Sequence, residues 1–245
     1  TQAKGIDAPY RLRDNELASR LSFALWGSLP DEMLRSLSAA GSLQDEATLV
    51  AQVRRMLADK RSSALASEFA GQWLLFADFT ESSGPDPERF PNFTPELKAA
   101  IYEEAVQFFD DLFKNDRSIL NVLNADYTFA NRTLAEHYGI DGVNGSQMRR
   151  INVPEDHRGG LLGMAWMLTK TSTPLRTSPV KRGAWVYETL LGIHLPEPPP
   201  NIPPISDDER NEQGSTIREQ LAEHRKNPAC FSCHNKIDPL GLPLE

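Results

Sequence analysis

Cys230-Phe231-Ser232-Cys233-His234 contains both cysteines of the 245-residue chain. The residue types and their spacing suit covalent attachment of haem. Each thiol can add across a haem vinyl group to form a thioether, and the adjacent histidine reaches the iron. Three other chemistries use similar residues. A thioredoxin-type C-x-x-C pair follows a strand in a βαβ unit, whereas the stretch from Ser215 to His224 reads as a helix. A structural zinc site takes four ligands, and the chain has no second C-x-x-C and no H-x-x-x-H pair. A disulfide between Cys230 and Cys233 is the remaining alternative.

In the haem reading, Cys230 and Cys233 carry the thioethers and His234 is the proximal iron ligand. Its imidazole must be neutral to bind iron, and its other nitrogen is expected to donate to a backbone carbonyl. The distal ligand separates an electron carrier from an open, reactive iron. Only eleven residues follow His234, and none is Met or His. A distal ligand from this chain must therefore lie upstream. Met164 on an apolar helical run comes first, followed by Met167, His224, His157, His194, Met148 and His137. Buried propionates need cationic partners. Arg176 and Arg182 flank a helix start at Ser178-Pro179, whose free amides add positive potential.

The elements that must position these residues read as helices. Asp14 is placed as an N-cap, with Leu17, Leu21 and Leu25 following at helical period. Pro30 is placed at the start of a second helix, and a third runs from about Asp45 to Leu57. A fourth holds Leu65, Phe69, Trp73 and Phe76 on a face expected to be core. Thr94-Pro95-Glu96 starts a long helix, and shorter pieces are expected around Ile119 to Leu123 and Leu134 to Tyr138, the latter closed by Gly139. Arg149 to Pro154 reads as extended and Leu161 to Leu168 as an apolar helix. Another helix runs from Ser178-Pro179 to near Gly192. Prolines from 195 to 205 form a strap, and a helix from about Thr216 to Arg225 leads into the cysteine motif. The expected architecture is all-α: a multi-helix bundle over 1–150, then a cytochrome-c-like haem-binding part over 151–245.

Bulk properties narrow the partners. The net charge of −8 argues against nucleic acid and anionic membrane surfaces. No run approaches the roughly 18–20 apolar residues of a membrane span. G-x-S-x-G, Walker and G-x-G-x-x-G signatures are absent, which leaves hydrolase and nucleotide readings without support.

Four segments carry a family resemblance: Asn15-Glu-Leu-Ala-Ser-Arg-Leu-Ser-Phe-Ala-Leu-Trp26, His157-Arg-Gly-Gly-Leu-Leu162, Arg176-Thr-Ser-Pro-Val-Lys-Arg-Gly183, and His224 through Gly241 with its Cys-Phe-Ser-Cys-His-Asn-Lys-Ile-Asp-Pro-Leu-Gly ending. Together they resemble the large multidomain c-type cytochromes best known from planctomycetes. The resemblance implies one covalently attached haem c and a periplasmic or extracellular location. It also implies two modules, over about 10–140 and from about 155 onward, within a longer parent protein. Some relatives carry carbohydrate-binding modules, which implies a polysaccharide-associated setting.

Three functions follow as expectations. The first is electron transfer to or from a redox partner protein or domain. The second is a peroxidase-like haem enzyme with an open distal side, for which His157 beside Asp156 and Arg158 would supply the base. The third is a polymer- or partner-binding module with ancillary haem, which exposed aromatics around residues 73–93 would favour.

Overall fold

A computed structural model describes residues 10–153, 159–196 and 216–245. The expected proline strap lies outside the described residues except for Leu195 and Pro196, and His157 lies outside them too. The fold is all-α, with eleven α-helices and one two-stranded sheet among the described residues.

Helices α1 (Asp14–Trp26), α2 (Glu32–Ala39) and α3 (Glu46–Ala58) form a small unit around Ala18, Trp26, Leu34, Leu43 and Met56. The expected N-cap of α1 is displaced by one residue. Arg13 holds the cap position and its amide donates to Glu16, while the Asp14 carboxylate accepts from the Leu43 amide at 2.8 Å. Pro30 likewise lies outside α2, which Asp31 caps by accepting from the Leu34 amide. A carboxylate satisfies an orphan helix amide and proline cannot.

The segment after α3 departs further from its sequence pattern. Residues Leu65–Ala70 form wide π-type turns that run into the short α4 (Gly71–Trp73). The wide turns shift the helical phase. Ala66, Ala70 and Leu74 face the core, while Phe69 and Trp73 are 56% and 41% exposed. Their rings lie 6.1 Å apart at an interplanar angle of 35°. The aromatic stripe expected in the core is therefore partly a surface feature.

Helix α5 (Pro95–Lys114) is the axis of the larger core. Thr94 caps it and Pro95 occupies its first turn, as the sequence predicts. It buries Ile101, Ala105, Phe108, Phe109 and Leu112. After α6 (Asn121–Asn124), strand β1 (Tyr127–Ala130) pairs antiparallel with β2 (Arg149–Asn152), with Tyr127 opposite Asn152. Between the strands, α7 (Arg132–Tyr138) is capped by Asn131 and closed by Gly139 at φ +70°. The extended piece at Arg149 was legible in the sequence; its partner in the Tyr-Thr-Phe run was not anticipated.

The apolar run from Leu161 breaks. A 3₁₀ turn at Leu161–Gly163 leads to Met164 in extended conformation, and α8 (Ala165–Lys170) begins after it. The Tyr138 hydroxyl accepts from the Ala165 amide at 2.9 Å, so a neighbouring helix supplies the cap. Helix α9 (Pro179–Trp185), capped by Ser178, continues into wide turns over Val186–Leu190. Its Trp185 is buried, and the indole donates to the Leu74 carbonyl. The larger core therefore runs from Ala66 to Val186.

Two further helices follow: α10 (Ile217–His224), capped by Thr216, and α11 (Pro228–Gly241). α11 carries the cysteine motif and packs against α9. It runs through Pro239 to Gly241. The two helices meet backbone to backbone. A Cβ at Gly183 would overlap the Ile237 carbonyl oxygen, and one at Gly241 would overlap that of Pro179. Only glycine permits this approach. Gly183→Ala is expected to lower stability by ~1–3 kcal/mol, the cost of forcing an extra carbon into a packed contact. A urea midpoint equal to that of the parent chain would contradict the contact.

Candidate functional site

The helical path of α11 puts Cys230, Cys233 and His234 at i, i+3 and i+4, on one side of one turn. Residues so spaced have Cβ atoms about 5–6 Å apart. The turn is anchored by the Asn227 carbonyl, which accepts from the amides of Cys230 and Phe231. Both thiols are free and half-buried, with no disulfide between them. Phe231, between them in sequence, is 51% exposed.

His234 is mostly buried, and its Nδ1 lies 2.9 Å from Asp238 Oδ1, one turn along α11. The ring nitrogen is thus paired with a side-chain carboxylate and not with the backbone carbonyl expected from the sequence. An Nδ1–H that donates to this carboxylate leaves Nε2 with its lone pair for a metal. Asp238 is fully buried. Its second oxygen lies 3.4 Å from the Arg225 guanidinium and makes no hydrogen bond. The His224 ring packs edge to face on His234, with centroids 5.1 Å apart. In this arrangement His224 flanks His234 and leaves no room for a macrocycle between the two rings.

The unjoined thiols, their single helical turn and a histidine with Nε2 uncommitted fit a covalently held haem. Among the described residues no group of three or more His, Cys, Asp or Glu side chains converges as a metal cage.

The two arginines lie in the chain that supports α11. Arg176 is buried, pairs its backbone with Thr173 and donates from Nη1 to the Thr177 carbonyl. Arg182 is also buried. It donates to the Leu244 carbonyl at 2.7 Å, to Glu245 at 2.8 Å, and to Thr171, Thr177 and the Leu168 carbonyl. It clasps Leu244 and Glu245 to α8 and α9. Either arginine would reach a propionate only by exchanging such bonds.

The remaining distal candidates are dispersed. Met167 is fully buried and its sulfur accepts from Thr171. Met148 packs against the larger core, and His194 is exposed beside Glu188. Met164 and His137 line a different space, a cavity of about 510 Å³ whose wall also includes Glu104, Tyr127, Thr128 and Tyr138. None of the residues lining it belongs to α11.

That cavity contains a group that sequence reasoning missed. Glu104 is 1% exposed. Its carboxyl accepts from Thr128 and from Tyr138, each at 2.6 Å. The signal was present: Glu104 falls three residues after Ile101 and four before Phe108, inside the apolar stripe of α5. Asp238 had a comparable signal, one helical turn beyond His234.

An all-α chain with a helix-borne C-x-x-C-H turn is the class of protein that fold and site define. The chain belongs to the family described as PSD4, protein of unknown function (DUF1592), which matches residues 12–140. Residues 158–245 match the family described as PSCyt3, protein of unknown function (DUF1588). Both families are typically found in planctomycete multi-haem cytochrome c-like proteins. No curated protein and no solved structure matches the chain.

Burial pushes the Glu104 carboxyl up to about 7 from an ordinary 4.5, against the pull of its two hydrogen bonds. The folded state therefore binds a proton that the unfolded state has released between these values. Stability from this group is complete below pH ~4.5, falls as pH rises to about 7, and is level beyond. The total is on the order of 3 kcal/mol at 1.36 kcal/mol per pK unit. Glu104→Gln mimics the neutral form and is expected to remove this decline; urea midpoints at pH 5 and 8 for both chains check it.

Proposed function

We propose that this protein is a covalent haem c-binding module that transfers electrons outside the cytoplasm, as part of a larger redox protein. One observation carries the reading: on one turn of α11, two free thiols accompany a histidine whose Nδ1 is tied to a carboxylate. Cys230 and Cys233 would form the thioethers, and His234 Nε2 would be the proximal ligand. Bound haem supplies a one-electron ferric–ferrous couple. This chain's part is to orient the imidazole, bury its partner and exclude water from the proximal side. Periplasmic or extracellular location follows from the same reading, and the electron donor or acceptor would be a partner protein or domain. No described helix is long and apolar enough to cross a membrane.

The expected optical spectrum, after production with haem c maturation machinery, has sharp low-spin α and β bands on dithionite reduction. The double variant Cys230→Ala/Cys233→Ala is expected to lose all covalent haem in an acid–acetone extraction. Covalent haem in that variant, or none in the parent chain, would overturn the reading. Rapid carbon monoxide or azide binding would move it to a haem enzyme with an open distal side.

The exposed Phe69–Trp73 pair favours a second role, in which the helical half binds a polymer. Aromatic faces laid side by side on a surface can stack on sugar rings, because their apolar area is large and rigid. The chain is expected to co-sediment with at least one insoluble polysaccharide, and Trp73→Ala to lose tenfold in bound fraction. Equal binding of both chains, or binding by neither, would remove this role.

A further inference from the structure

The histidine–carboxylate pair has a consequence for the electron-transfer centre. We propose that Asp238 is a positioning residue that sets both the tautomer of His234 and the reduction potential of the iron bound to it. The proposal rests on the haem reading and goes beyond it, since it assigns the potential to a specific side chain.

The geometry is specific. Asp238 Oδ1 lies 2.9 Å from His234 Nδ1, and the carboxylate is fully buried. The two residues stand at i and i+4, so the helix itself holds the pair. An ion pair at 3.4 Å to Arg225, at the end of α10, keeps the second oxygen in place. Water does not compete for a carboxylate with no exposed surface. His224, edge to face on the His234 ring, limits rotation of the imidazole.

Three effects follow. The Nδ1–H tautomer is selected, because a carboxylate is an acceptor only. Nε2 is then the ligating nitrogen without any rearrangement. A charged acceptor also makes the imidazole a stronger donor than a backbone carbonyl would. Stronger donation from His234 to a bound haem iron would favour the ferric over the ferrous state, so Asp238 would poise such a centre low. Arg225 moderates this by drawing charge from the far oxygen. A neutral acceptor of the same shape should raise the potential while keeping the ligand in place.

Asp238→Asn and Asp238→Ala in the full chain provide the test, with three measurements. Extraction of covalent haem from the parent chain reports on the haem reading alone; no haem there ends that reading and this proposal with it. Spectroelectrochemical titration reports on Asp238. In Asp238→Asn the ferric-to-ferrous ratio at fixed potential is expected to fall at least tenfold, an upward shift of ~59 mV or more for one electron. Holo-protein with the parent potential in both variants would overturn the proposal while leaving the haem reading standing. The third measurement does not depend on the folding of an Asp238 variant. Nitrogen chemical shifts of His234 in the haem-free Cys230→Ala/Cys233→Ala chain should show the proton on Nδ1, and a proton on Nε2 would overturn the assignment.

Discussion

The close approach of α9 and α11 is the constraint on which the rest depends. Gly183 and Gly241 bring two backbones together where no side chain fits. α9 is itself fixed by Trp185, whose indole is buried in the larger core and bonded to the Leu74 carbonyl. The other side of α9 is fixed by Arg182, which holds Leu244 and Glu245. The cysteine-bearing turn is thus registered against the core through one short helix. Ile237 and Asp238, one buried and apolar, the other buried and charged, face inward because the helix is pressed so close. The carboxylate that meets His234 is buried as a result of that packing.

Electrostatics divide the molecule differently from packing. Burial, opposed by two hydroxyl hydrogen bonds, keeps a proton on Glu104 up to about pH 7. Asp238 has a cation and an imidazole beside it. Both are fully buried carboxyls on helices, and their surroundings differ in whether a positive group reaches them. The first knits α5 to β1 and α7, the second connects α10 and α11. Buried polar groups here tie elements together where apolar packing alone would leave several arrangements open.

Much of this was legible in the residues. The Thr94-Pro95 and Ser178-Pro179 starts and the Gly139 stop are legible in the sequence, because capping is local chemistry. The Cys-x-x-Cys-His motif was legible for the same reason. The misread positions depended on partners distant in sequence. Asp14 was drawn off its cap by the Leu43 amide, and Met164 broke its helix where Tyr138 supplied a cap to Ala165. Phe69 and Trp73 faced outward because wide turns changed the helical phase, which no periodicity of four can reveal. Asp238 and Glu104 sat at readable helical spacings, but what made each of them matter was burial, and burial is a tertiary property.

The glycine crossing also bears on the order in which the chain can assemble. α11 rests mainly on α9 and the turns beside it, so its docking surface exists only once α9 is seated on the larger core. The segment that carries the thiols leans on few other elements, the condition under which local opening is favoured. Covalent chemistry at Cys230 and Cys233 needs reactants to enter from outside. In the haem reading, a helix held mainly by one backbone crossing would let both sulfurs become more accessible by local opening while the larger core stays packed.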